Sequence, residues 1–325
     1  MIPAKVEISY KTIVFTVFFL IFLWFLTEVR EIIFLVFVAF ILMSALKPLA
    51  DWLEKFHIPR FIAVILIYVL IIALLAFMGS SILPPLISES IRLGENMPKY
   101  VGPVLPFLKI DSQTLTQPLT FVGENVLKVT FGLFHNLFTT FTFFVISFYL
   151  LIERKHLDLH LSQFMGEEAA KKSVMIIKKV EERLGAWVRG QVTLALTIGI
   201  CTFIGLFFLG IPYSLPLAIL AGILEIIPTI GPIISAIPAV LVAVTLSPVM
   251  ALLTVALYFV VQQLENHLVV PLVMKKVVGV PPLFTIIALL VGAKLAGIGG
   301  ALLAVPIMVT IETIISSYLA LKESS

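Results

Sequence analysis

The stretch Leu215–Val244, LPLAILAGILEIIPTIGPIISAIPAVLVAV, decides the fold. It is almost wholly apolar, yet Pro228, Gly231, Pro232 and Pro238 interrupt it, and one carboxylate, Glu225, sits just before the break. Proline removes a backbone donor and clashes with the preceding turn, so no continuous helix is expected through Ile227–Pro232. The arms Leu215–Ile227 and Ile233–Thr245 hold about 13 residues each. At 1.5 Å per residue each reaches about 20 Å, short of the roughly 30 Å hydrocarbon core. Two short arms joined by a Pro/Gly tip predict a re-entrant hairpin. Irregular backbone at membrane depth persists only where protein or a wet cavity satisfies it, and broken helices there point to a transport site.

The surrounding composition agrees. The chain has 325 residues, 60% of them hydrophobic and 13% charged, with a mean hydropathy of +1.15. Soluble domains are about 45–50% apolar and about 25% charged, so a polytopic membrane protein is expected. The single cysteine, Cys201, excludes an intramolecular disulfide and reads as a small buried hydrophobe in an apolar span. No basic patch with interleaved aromatics suggests nucleic acid as a partner. The basic N-terminus (Lys5, Lys11) precedes an apolar run that ends in Glu28-Val29-Arg30-Glu31 without a small-residue cleavage pattern, so a retained first span is expected.

Conventional spans fall at 11–27, 31–47, 60–80, 133–152, 191–210 and 249–270. Segment 81–132, with six prolines among mixed charges, reads as an extracytoplasmic region of short amphipathic helices and turns. Segment 153–190 is densely basic, and Ile176, Ile177, Val180, Leu184 and Trp187 recur in it at helical spacing. That pattern predicts a helix lying in the membrane interface on the cytoplasmic side. The Lys/Arg-rich segments place the N-terminus and C-terminus in the cytoplasm.

A second broken stretch runs from Pro281 to Ser317, with a short first arm over 282–296 and a tip at Gly297, Gly299 and Gly300. Gly231 to Pro238 and Gly299 to Pro306 share a seven-residue spacing. The expected fold class is therefore all-α: about six full spans plus two oppositely inserted broken-helix hairpins meeting near the midplane. The whole chain reads as one transmembrane domain. Residues 1–80 would form a scaffold, 133–190 the fourth span and cytoplasmic helix, and 191–325 the transport core.

The residues that could bind a solute or ion follow from this layout. Glu225 lies about 14 Å along the first arm by helical rise, and Lys294 lies at comparable depth in the opposite hairpin. A charge there is costly and rarely faces lipid, so the two are expected to pair or to flank one wet cavity. An ion pair of purely structural purpose, or a Glu capping its own hairpin tip, is the plainer alternative. The tip, with Pro228, Thr229, Gly231 and Pro232, offers backbone groups freed from the helical ladder. Gln262, Glu265 and Asn266 share one helical face beside Gln263, toward the cytoplasmic end of their span. No metal-ligand spacing accompanies His267. No GxSxG, HExxH, Walker A or paired CxxC motif suggests an enzyme or a resident cofactor.

The runs AGILEIIPTIGPIISAIPAVLVAV, QQLENHLVVPLVMKKVVGVPPL and LLVGAKLAGIGGALLAVPI resemble the autoinducer-2 exporter family of permeases, as do Arg189-Gly190-Gln191 and the LGIP of 209–212. The resemblance is specific over about 187–310 and rests on span layout alone before that. It implies an inner-membrane secondary transporter of eight membrane segments, a homo-oligomer with a pentamer as one option, and elevator-like motion. It also implies roles for the EIIPTIGP tip, Gln263, Glu265, Asn266 and Pro271. The leading expectation is alternating-access export of a small polar solute resembling autoinducer-2, with H⁺ or Na⁺ as coupling ion and the lipid bilayer as the other partner. A Na⁺(Li⁺)/H⁺ antiporter and a non-transporting membrane scaffold are the alternatives.

Overall fold

A computed structural model describes residues 10–101, 137–226, 230–273 and 282–323. No strand occurs among the described residues, in keeping with the expected all-α class. The helices are α1 (Tyr10–Glu28), α2 (Arg30–Glu54), α3 (Arg60–Phe77), α4 (Leu83–Val101), α5 (Leu137–Glu153), α6 (Leu157–Met165), α7 (Glu167–Phe208), α8 (Ser214–Leu224), α9 (Ile230–Leu246), α10 (Pro248–Leu264), α11 (Val270–Val273) and α12 (Pro282–Glu323). Six described helical segments are long and apolar enough to cross a membrane: Tyr10–Glu28, Arg30–Glu54, Arg60–Ser81, Glu167–Phe208, Pro248–Val273 and Gly299–Lys322. The protein is a multi-pass membrane protein. Its outward face is apolar, as lipid requires: along α1 no residue is buried, and Phe15, Phe18 and Trp24 are exposed.

Two packed centres organise the bundle. Met43, Leu46 and Ala50 of α2 meet Val64, Ile67 and Tyr68 of α3 and Leu151 of α5. Farther along the chain, Leu206 of α7 and Leu217 of α8 pack with Ala239, Val242 and Ala243 of α9. Helix α7 joins the two halves, because Val180 and Leu184 also contact Ile41 of α2 and Val309 of α12.

Polar groups reinforce that junction. Glu181 of α7, 2% exposed, is bonded to Arg154 just past α5 and lies 3.4 Å from Lys47 of α2. Arg60, at the start of α3, holds Asp51 at 3.0 Å and gives its Nε to the Leu151 carbonyl at 2.9 Å. Buried charges persist only when paired in this way.

The sequence separates an interfacial helix from the fifth span, but the structure makes both one helix. Beyond the short α6, the 42 residues of α7 run without a break. At 1.5 Å per residue that is about 63 Å, about twice the hydrocarbon thickness. The basic half thus continues the axis of the apolar half. No proline stands between Lys179 and Gln191, Gly185 lets α7 pack closely on the Ser44 carbonyl of α2, and the apolar face of the basic half finds α2 and α12 to pack against.

The first broken stretch divides near where the prolines predict. Helix α8 ends at Leu224, Glu225 and Ile226 form a turn, and α9 begins at Ile230. Ile227, Pro228 and Thr229 lie outside the described residues, as does the 102–132 portion of the proline-rich segment. The arms fold back on one another. Gly231 sits so close to Leu224 that a Cβ there would overlap the Leu224 carbonyl, while Leu217 near the other end of α8 packs with Ala239 and Val242. The pairing is antiparallel.

In the second stretch the helical path fails at Ala296 (φ −140°, ψ 25°) and Gly297 (φ 59°, ψ −141°). The left-handed φ of Gly297 is one that an L side chain rarely adopts. Gly299 and Gly300 are not the tip. They are helical residues of the second arm, and Gly300 approaches Gly292 so closely that a Cβ on either would overlap the other's carbonyl. The arms are unequal: Leu283–Gly297 is short, whereas Gly299–Lys322, with 24 residues, is long enough to cross.

Candidate functional site

The C-terminus of α8 leaves carbonyls without helical partners, as any helix end does. One of them, that of Glu225, is taken up by α7: Gln191 donates its Nε2 to it at 2.9 Å in a buried setting. The side chain of Glu225 turns inward and is 2% exposed. It faces Glu265, which is 6% exposed and sits where α10 gives way to a π-helical turn over Glu265–Val269. Gln262 donates to Glu265 Oε2 at 2.8 Å. Oε2 of Glu225 is buried and has no hydrogen-bond partner.

Beside the turn, where Gly231 meets Leu224, polar groups tie α9 to α10. Ser235 on α9 is fully buried, and the Tyr258 hydroxyl of α10 donates to the Ser235 carbonyl at 3.4 Å. Ser235 itself donates to the Pro232 carbonyl at 3.0 Å, which pins the first turn of α9. Helices α7, α8, α9 and α10 therefore converge on one buried pair of carboxyl groups next to a broken helix.

Of the residues expected from sequence, Glu225, Gly231, Pro232, Gln262 and Glu265 come together here. Gln263 and Asn266 are exposed on another face of the same helix end. Pro228 and Thr229 lie outside the described residues. The expected approach of Glu225 and Lys294 is replaced by a different partner: Lys294 is exposed and forms no ion pair among the described residues, and Glu225 meets Glu265 instead. Gly297 belongs to the break in α12, while Gly299 and Gly300 lie on its second arm, away from the carboxylate pair. No cluster of three metal-ligating side chains occurs among the described residues.

Gln191, Ser235 and Tyr258 were not among the expected site residues. A signal for Tyr258 exists, since Tyr258, Gln262 and Glu265 follow one another at helical spacing along a single face. Gln191 is a lone amide near the start of an apolar span and carries no such pattern.

A buried carboxylate pair at a helix break, in a chain of this layout, is the kind of site transporters build. A family model described as AI-2E family transporter matches residues 13–320. The chain belongs to the AI-2E transporter family.

Its relatives carry transport names. It is 33% identical over 297 residues to "Putative transport protein YueF" of Bacillus subtilis, covering 83% of this chain and 80% of that one. It is 24% identical to "Putative transport protein YhhT" of Escherichia coli, over 81% and 78% of the two chains. A sodium-lithium/proton antiporter of Halobacillus andaensis is 20% identical over 81% of this chain and 83% of its own length. Membership of the AI-2E family, with the apolar helices, assigns the chain a role in membrane transport. The match extends almost from end to end, so the first half belongs to the family on more than its layout of spans.

Proposed function

We propose that the protein is a secondary transporter in which the facing carboxyl groups of Glu225 and Glu265 bind a proton and a monovalent cation in alternation. The observation that carries this reading is the burial of both side chains against each other at the end of α8. Two carboxylates withdrawn from water repel when both are charged, and one bound proton or cation between them relieves that repulsion. Gln262 holds one oxygen in place, and the unpartnered Oε2 of Glu225 leaves a lone pair for the ion. The sodium-lithium/proton antiporter among the relatives supports the same chemistry by analogy.

Alternating access would come from the two broken helices. Their first arms, Ser214–Leu224 and Leu283–Gly297, are short, and rearrangement at the Glu225–Ile226 turn and at Gly297 would open the pair to either side. Helices α1 to α3 would serve as the scaffold, and residues 191–325 as the moving core. The bare, phenylalanine-rich face of α1 suits contact with lipid or a second copy. The Lys/Arg distribution supports a cytoplasmic position for both termini, and membership of the AI-2E family supports a prokaryotic inner membrane.

A second reading, export of a small polar solute driven by the same ion, is favoured by the family description. Proteoliposomes with imposed Na⁺, Li⁺ and pH gradients separate the two. Cation-dependent proton flux that is lost in both Glu225→Gln and Glu265→Gln supports ion exchange at the pair. Flux unchanged in both variants overturns it.

A further inference from the structure

We propose that a cavity at the C-terminal end of α7 is a second binding site, for a zwitterionic group carried on an apolar body. The cavity has a volume of about 470 Å³ and lies between α4, the end of α7 and the start of α8. Ligand pockets fall in the range of about 300–1,000 Å³ and combine apolar walls with a few placed polar groups.

The walls here divide by chemistry. Phe203 and Phe207 of α7 are stacked with centroids 6.0 Å apart and form an aromatic side. Tyr213 closes one end. Its left-handed backbone (φ 61°) turns the chain into α8, and its hydroxyl accepts a hydrogen bond from Asn96 of α4 at 3.2 Å, which fixes the ring. Opposite the rings, Glu89 and Arg92 are three residues apart on α4, on one face.

A carboxylate and a guanidinium at that spacing match a ligand that carries an ammonium and an acid group within a few bonds of each other. Arg prefers carboxylate or phosphate, Glu accepts from ammonium, and the rings take the apolar remainder or the cation. Neither Glu89 nor Arg92 is ion-paired with another described residue, so both charges are available to such a ligand. Phe207 is 64% exposed, so the cavity opens sideways onto the surface that faces lipid. The same chemistry is offered by a soluble amphipathic amino acid and by the headgroup of a zwitterionic phospholipid.

The site is separate from the carboxylate pair. It borders Ser214, at the start of α8, and the 11 residues of that helix put about 16 Å between this end and Glu225 at 1.5 Å per residue.

The test uses the full chain in detergent micelles. Radiolabelled tryptophan is the soluble probe, followed by equilibrium dialysis. Dihexanoyl phosphatidylethanolamine is the lipid probe, counted by native mass spectrometry. Saturable binding of either one, at least tenfold weaker in both Glu89→Gln and Arg92→Gln and weakened in Phe207→Ala, is the expected result, and the probe that binds names the source. Glu225→Gln is expected to bind as the unaltered protein does, even where ion flux has been lost. Absence of saturable binding by both probes overturns the proposal, as does binding indifferent to Glu89 and Arg92 or binding abolished by Glu225→Gln.

Discussion

Gln191 and Glu225, on two different helices, are joined by a buried hydrogen bond from the Gln191 amide to the Glu225 backbone carbonyl at 2.9 Å. The bond satisfies a helix-end carbonyl that α8 itself cannot serve, and it fixes the rotation of Glu225 against α7. Removing it strands a buried acceptor, which costs about 1–3 kcal/mol. Gln191→Leu is therefore expected to lower the thermal midpoint of the purified protein by several degrees. Fluorescence-monitored unfolding in detergent checks this, and an unchanged midpoint would show that the bond is dispensable.

Glu225→Gln should separate stability from transport. The substitution keeps the shape of the side chain and removes one of two facing acids, so the midpoint is expected to hold or rise. Ion-coupled flux, by contrast, is expected to fall at least tenfold. A variant that loses its fold along with its flux would contradict this, since it would make the acid a structural element.

The cluster around Glu181 behaves oppositely. Glu181 is 2% exposed and serves both Arg154 and Lys47. Removing one member of a buried charge cluster leaves the others uncompensated, at a cost of about 3–5 kcal/mol. Glu181→Leu should therefore unfold or fail to accumulate, while a Glu181→Leu, Arg154→Met double variant should recover much of the loss. Expression and thermal melting of the pair read the difference. Equal damage in the single and double variants would rule out the compensation.

Gly300→Ala is expected to push the two arms of α12 apart, because the new Cβ would overlap the Gly292 carbonyl. Here the fold should survive and transport should suffer, since each arm keeps its own helix. Cysteine pairs placed across the arms would report the change as a lost cross-link. Retained cross-linking at the original rate would mean the contact yields without consequence.

Ser247 offers a calibrating case far from the carboxylates. Its hydroxyl accepts from the Met250 amide at 3.1 Å and caps α10, with Pro248 following. Loss of such a cap costs about 1 kcal/mol. Ser247→Ala should lower the melting midpoint slightly and leave flux untouched, and a large effect on flux would assign α10 a wider role.

Much of the architecture was legible because apolar runs and prolines act locally. The break after Glu225 follows from Pro228 and Pro232 without reference to any other helix. The Gly297 break follows from glycine's freedom at positive φ. What escaped was long-range. Nothing near Glu225 in the chain indicates that its neighbour is Glu265 and not Lys294, because that choice is made by how α8 and α10 pack. Gly300 was legible as a special residue but not in role: it lets the two arms of α12 touch and does not bend either of them. The continuity of α7 was hidden by composition, since a change from basic to apolar looks like a boundary between elements even when the backbone carries straight through.

That unbroken helix has a mechanical corollary. Arg183 and Phe207 ride on the same rod, and their 24-residue separation amounts to about 36 Å at 1.5 Å per residue. A rotation of about 5° pivoting at the Arg183–Glu312 contact would sweep Phe207 through about 3 Å, the width of an aromatic ring's thickness. With no joint along the shaft to absorb the swing, Gln191 must travel too, and the carbonyl it grips goes with it.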